Sequence, residues 1–194
     1  MATDLLTLLT ETGALLEGHF ELTSGQHSDR YIEKFRLLEQ PEALDAAAAA
    51  VIDGVAPEEV DVVLGAAVGG ILLAGAVARL LGRRIIFTER VGGHMAFRRG
   101  FALKAGERVL VVDDIVTTGG SIRELLAVVR AARAEIQSVV CLVNRNEKDI
   151  DVGVPKRALL RLPLASWAPT ACPLCREGIP LQKPGGSGNE DADS

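Results

Sequence analysis

Apolar and polar residues fall along this chain in blocks of two different periods. Leu5, Leu6, Leu8, Leu9, Leu15 and Leu16 recur at helical spacing and predict a leading helix over residues 3–17, broken at Gly13. Residues 18–36, GHFELTSGQHSDRYIEKFR, alternate apolar and polar around a Ser-Gly turn, which predicts two short strands or a structured loop. From Pro41 onward the pattern becomes regular. A helix opened by Pro41 leads to a strand at 60–64, a helix through 71–81 and a strand at 84–88. A polar, Gly-rich loop at 89–100 then precedes a strand at 108–112, a helix at 120–133 and a strand at 137–143. A last apolar run at 158–162 adds a strand, with the Pro-rich segment 163–184 packed around it in extended form. The closing GGSGNEDADS reads as a disordered tail. No internal repeat is visible.

Strands that are continuous aliphatic runs, alternating with helices, predict an α/β fold with a mainly parallel central sheet flanked by helices. Right-handed crossovers would bring every strand's C-terminal end to one edge, and ligands bind such sheets at that edge. Composition agrees with one main domain: 194 residues, 48% hydrophobic, 24% charged and only 4% aromatic, the mixture of aliphatic helix-on-sheet packing. The net charge of -5 owes three units to Glu190, Asp191 and Asp193, so the body is near neutral. Nothing in that balance calls for nucleic acid or membrane as partner. No run approaches the roughly 18 apolar residues of a membrane span, and the first residues lack the basic start of a signal peptide, so a cytoplasmic location is expected. Cys141 lies in an apolar run and reads as core, while Cys172 and Cys175 form one CxxC. Zinc would need two more ligands, and the neighbouring sequence supplies no second pair and no His. The pair therefore reads as ordinary loop cysteines or a dimer contact.

One stretch carries chemistry. In VLVVDDIVTTGGS, residues 109–121, a buried strand runs into Asp113 and Asp114 and then into a turn of hydroxyls and glycines before a helix. Free backbone N–H groups at that helix start favour a phosphate. Thr117, Thr118 and Ser121 add hydroxyl donors, and Gly119 and Gly120 let the main chain come close. A Walker A loop is excluded because no Lys follows these glycines, and GxGxxG is absent. Two acids beside a phosphate would repel it unless they accept hydrogen bonds from sugar hydroxyls or orient a magnesium ion. The ligand expected is a ribose phosphate.

This stretch closely resembles the 13-residue phosphoribosyl pyrophosphate motif of the type I phosphoribosyltransferases. The resemblance implies that fold, with Asp113 and Asp114 on the ribose hydroxyls and the segment through Ile115, Val116, Thr117, Thr118, Gly119, Gly120 and Ser121 around the 5-phosphate. Gly18, Phe20, Leu22, Ser24, Gly25, Ser28 and Tyr31 further resemble the segment with which orotate phosphoribosyltransferases build a hood over the base. VNRNE is similar to the family segment in which an arginine pairs with the orotate carboxylate, which makes Arg145 that candidate and turns Thr117 toward the base. ACPLCREGIPLQKPG resembles the C-terminal segment of a bacterial subgroup. The implied organisation is an N-terminal helix and hood segment over 1–40, a phosphoribosyltransferase core with its C-terminal extension over 41–184, and the tail 185–194. The implied reaction moves phosphoribose from its pyrophosphate to orotate with Mg2+ carried by the substrate, the protein itself holding no metal.

Several positions depart from the family pattern. The mobile catalytic loop, which often reads R-K-x-x-K-x-H, is ERVGGHMAFRRG here and offers Arg90, His94, Arg98 and Arg99 without a lysine. By resemblance these four are catalytic, Arg90 also contacts the donor, and in a homodimer the loop reaches the neighbouring site. The pyrophosphate turn, which often carries a lysine before its second glycine, is GAAVGG with Gly69 in that place, and Thr23 replaces a lysine common in L-K-S-G. Two rival readings keep the central motif: transfer to a purine or uracil base, and a non-catalytic regulator that senses the donor. The regulator would need a nucleic-acid-binding module, and residues 1–40 show neither a basic face nor a helix-turn-helix pattern.

Overall fold

A computed structural model describes residues 4–184; the tail expected at 185–194 lies outside them. The chain opens with helix α1 (Leu5–Glu11) and an antiparallel hairpin of β1 (Leu15–Glu21) and β2 (His27–Ile32). A short helix α2 (Phe35–Leu38) and helix α3 (Pro41–Ile52) follow. Then come β3 (Val62–Ala66), α4 (Gly69–Leu81), β4 (Arg84–Val91), β5 (His94–Phe97), β6 (Arg108–Val116), α5 (Gly120–Ala131), β7 (Glu135–Asn144) and β8 (Lys156–Arg161). The last helix is one turn long, α6 (Pro173–Arg176).

The main sheet has the order β5-β4-β3-β6-β7-β8, and every pairing in it is parallel except β4 with β5. Alternate residues of each strand feed two separate cores, as the two-residue period of a strand requires. Val63, Leu110, Val112, Val140 and Leu142 face Leu73, Ala74 and Val77 of α4 together with Ala47 and Val51 of α3. Val62, Leu64, Val109, Val111, Val139 and Cys141 face Ile122, Leu125, Leu126 and Val129 of α5. Both faces are therefore covered, and the expected α/β architecture holds. Among the described residues no helix is long and apolar enough to cross a membrane.

Four expectations are corrected. The leading helix ends at Glu11 because Gly13 turns left-handed at φ 66°, and Leu15 and Leu16 enter β1 instead. The segment expected as a loop at 89–100 is mostly a hairpin: β4 continues to Val91 and turns through Gly92 and Gly93, both at positive φ (57° and 88°), into β5. A two-glycine hairpin turn accounts for that. Strand β6 does not stop at 112 but runs to Val116 and carries Asp113 and Asp114 within it. The extended segment after β8 includes α6 and lies back on the N-terminal hairpin through bridges Phe20 to Gln182 and His27 to Trp167.

The end of β3 is tightly specified. A Cβ on Gly65 would lie 2.2 Å from the carbonyl oxygen of Gly70, so strand and following helix meet backbone to backbone. The Gly65→Ala variant should therefore lose about 3 kcal/mol of unfolding free energy, measured by denaturant titration; an unchanged midpoint would contradict the close approach.

Candidate active site

The site opens where β3 and β6 part. Their pairing ends at Gly65 with Val112, whereas β6 stays paired to β7 through Val116. Asp113 and Asp114 lie in that half-open stretch, 7% and 4% exposed. Each carboxylate accepts a backbone N–H of the next residue: Asp113 Oδ1 from Asp114 at 3.0 Å, and Asp114 Oδ1 from Ile115 at 2.6 Å. Asp114 Oδ2 also meets Lys34 Nζ at 2.7 Å. Lys34 thus supplies the countercharge that lets two acids stand next to an anion cradle. Burial first, and then the Asp114 charge, push the Asp113 carboxyl up to about 7.

Gly69 faces this ion pair. A Cβ there would fall 1.9 Å from Asp114 Oδ2 and 3.2 Å from Lys34 Cε, so no side chain fits while the pair is formed. The missing lysine of the pyrophosphate turn has a steric reason, and Lys34 brings its charge from another part of the chain. The turn itself, Ala66 to Gly69, lines a cavity of about 140 Å3 with Lys34, Asp113 and Asp114.

Beyond β6 the chain forms the cradle. Gly119 caps α5 in the left-handed region at φ 74° and has no side chain of its own to cap the helix, and Thr118 Oγ1 accepts the Gly120 N–H at a long 3.4 Å. Thr117 and Thr118 have their carbonyls engaged from outside, by the Asn146 amide and by Arg123 Nη1. Occupied carbonyls and a left-handed glycine before a helix are what an anion-binding concavity of amides requires. Residues 115–122 with Asp113 enclose it, in a pocket that shares Asp113, Ile115 and Ser121 with the cavity at the turn.

A larger cavity of about 600 Å3 adjoins both, sharing Lys34 and Ile115 with the turn and Thr117 and Thr118 with the cradle. Thr23, Ser24, Tyr31 and Phe35 wall it from the N-terminal side and Arg145 from the end of β7. The Arg145 Nε atom is buried without a hydrogen-bond partner among the described residues. Burial also lowers the Arg145 pKa from its usual value. A buried, unpartnered guanidinium nitrogen in a cavity wall calls for an acceptor on a ligand.

A family described as the phosphoribosyl transferase domain matches residues 36–168. An orotate phosphoribosyltransferase of Heliobacterium modesticaldum is 48% identical over 93% of this chain and 95% of its own. That of Thermotoga maritima is 44% identical over 93% and 97%. The chain belongs to the orotate phosphoribosyltransferase family. Among solved structures, an orotate phosphoribosyltransferase from Aeropyrum pernix superposes with TM-score 0.72 at 29% identity, covering 81% of this chain and 93% of that one. An adenine phosphoribosyltransferase from Rhodothermus marinus, at TM-score 0.67 and 22% identity over 84% and 100%, shares the fold.

As in an orotate phosphoribosyltransferase expected from the motif, the structure draws Asp113, Asp114, Ile115 to Ser121 and Arg145 around one continuous cleft. It does not bring the loop residues there. Arg90 pairs with Glu124 of α5 at 3.3 Å, Arg99 with Glu89 at 3.0 Å, and both line a separate surface hollow with Arg98. His94 is exposed at the start of β5. Only Met95 of that hairpin faces the cleft, its N–H held by Glu124 at 3.0 Å. Sequence reasoning missed Lys34, Phe35 and Asn146. Lys34 stood at the end of the hood pattern, but nothing local marks a lysine whose partner lies far along the chain.

A carboxyl held near 7 in the fold but at about 4 when unfolded keeps a proton in the folded state that the unfolded chain has lost. Stability should fall as pH rises from about 4 to 7, by no more than about 4 kcal/mol, and level off above. Thermal denaturation of Asp113→Asn across that range should show a flatter profile than the parent; parallel profiles would refute the assignment.

Proposed function

We propose that this chain transfers the 5-phosphoribosyl group from phosphoribosyl pyrophosphate to orotate, giving orotidine 5-monophosphate and pyrophosphate in pyrimidine biosynthesis. The single observation that carries the base assignment is the unpartnered Arg145 nitrogen in the wall of the 600 Å3 cavity. An orotate carboxylate is the acceptor it lacks, and the guanidinium fork binds such a group in its own plane. Phe35 and Tyr31 line the same cavity and supply aromatic surface for the pyrimidine.

The remaining parts of the cleft suit the donor. The cradle of Thr117 to Ser121 takes the 5-phosphate through amides and hydroxyls. Asp113 and Asp114 accept hydrogen bonds from the ribose hydroxyls, and Lys34 holds Asp114 through its Oδ2 at 2.7 Å. The pyrophosphate then suits the 66–69 turn, which lines one cavity with Lys34. In the reaction the anomeric C–O bond breaks with its electron pair leaving on pyrophosphate, and N1 of orotate bonds to the anomeric carbon. Positive charge grows on a sugar beside the Asp114 carboxylate, and negative charge grows beside a lysine, so the site is complementary to both.

Lys34 already pairs with the Asp114 carboxylate, so the positive charge that a resident divalent ion would bring there is in place. Mg2+ therefore fits as part of the substrate, bound to the donor's pyrophosphate, where it would supply further charge neutralisation. Arg90, His94, Arg98 and Arg99 do not line the cleft of their own chain, and in a cytoplasmic homodimer they would reach the partner's site. Closure of that hairpin over the cleft would exclude water, which otherwise hydrolyses the donor.

Orotate-dependent pyrophosphate release with Mg2+ present should be robust and should vanish with uracil, hypoxanthine or guanine. Arg145→Ala should raise the orotate KM at least about tenfold, a loss of over 1.4 kcal/mol, with the donor KM nearly unchanged. Asp114→Asn should lower turnover while leaving the folded structure intact; a full-rate variant would count against the ribose-hydroxyl role. Donor binding with no turnover on any base would favour a sensing regulator.

A further inference from the structure

The CxxC that had no partners in its own neighbourhood acquires two in space. His19 of β1 and His27 of β2 face Cys172 and Cys175, and the four potential ligand atoms all lie within 4.8 Å of one another. His19, His27 and Cys172 are buried, and Cys175 lies at the surface. The two histidines come from the hairpin at the opposite end of the chain, which is why no local ligand spacing announces them.

The distances have the proportions of a tetrahedral centre. Cys172 Sγ lies 3.4 Å from His19 Nε2, and Cys175 Sγ lies 3.7 Å from His19 Nε2 and 3.3 Å from His27 Nδ1. With Zn–S near 2.3 Å and Zn–N near 2.0 Å, a tetrahedron has N to S edges of about 3.5 Å. The two ring nitrogens, 2.9 Å apart, need only a slight separation to fit.

Proton counting excludes a hydrogen-bonded cluster as the full account. His19 Nδ1 is 2.8 Å from the Ile179 carbonyl, which can only accept, so this nitrogen carries the proton. In the neutral ring Nε2 is then a single lone pair, yet His27 Nδ1 and both sulfurs converge on it. One lone pair takes one donor; a cation takes all four at once. The Ile179 contact is also the outer partner that ligating histidines characteristically keep.

We propose that His19 Nε2, His27 Nδ1 and the thiolates of Cys172 and Cys175 bind one structural Zn2+. Two thiol protons leave as the ion enters, and the loaded site is neutral. Two sulfurs and two imidazoles in a closed tetrahedron select zinc over the oxygen-seeking Mg2+. The ion would fasten the segment after β8 to the N-terminal hairpin, beside the main-chain bonds Gln182 N–H to His19 O at 2.8 Å and His27 N–H to Trp167 O at 2.8 Å. That hairpin's tip, Leu22 to Gln26, lines the 600 Å3 cavity, so the metal would brace the wall over the base.

The test is elemental analysis of the full chain purified with Zn2+ in the growth medium and dialysed without chelator. One zinc per chain is expected, and replacement by Co2+ should give the visible absorption of a tetrahedral cobalt thiolate site. Cys175→Ala, at the surface, and His27→Gln should each lose the metal, and chelator should lower the melting temperature of the parent but not of these variants. Absence of zinc from the parent would overturn the proposal, as would a Cys172 to Cys175 disulfide or a cobalt spectrum unchanged in Cys175→Ala. None of these readouts depends on transferase activity, so they stand apart from the test of the base.

Discussion

The ion pair between Lys34 and Asp114 is the constraint around which the cleft is arranged. It places a cation from the N-terminal segment against a buried strand of the main sheet, and it leaves no space for a side chain on Gly69. Two aspartates can be buried side by side there because one is paired and the other rises to a pKa where it sheds its charge. Without the pair, the Asp114 carboxylate would stand unscreened beside the anion cradle at the start of α5. The packing of β3 against α4, glycine on glycine, brings the turn close enough for all three groups to meet.

Much of this was legible in the chain. The continuous aliphatic strands and the Pro41 helix start gave the parallel sheet, and VLVVDDIVTTGGS gave the strand, glycine turn and helix start that enclose the cradle, because both depend on local periodicity and local chemistry. The errors fell where a longer-range term decides. Leu15 and Leu16 satisfy helical spacing, yet the left-handed Gly13 and pairing with β2 make them strand. Asp113 and Asp114 look like the end of a strand, but pairing with β7 carries β6 past them.

The same logic separates the residues that sequence found from those it did not. Arg145 was visible because its flanks resemble a known segment. Lys34, and His19 and His27 as neighbours of the CxxC, were not, because each acquires its meaning only when distant parts of the chain fold together. The arginine-rich hairpin is the converse case: its residues were legible as a group, yet Arg99 and Arg90 pair with Glu89 and Glu124 and line a hollow separate from the cleft.

The cleft is divided between two separate stretches of chain. In the proposed reading the sugar phosphate falls to β6 and the loop after it, whereas the wall of the larger cavity, assigned to the base, is drawn largely from the N-terminal hairpin, Phe35 and Arg145. A lineage can therefore alter its nucleobase preference by drift in the peripheral wall while the donor apparatus stays fixed. The fold shared with an adenine phosphoribosyltransferase shows that this scaffold is not tied to one peripheral wall.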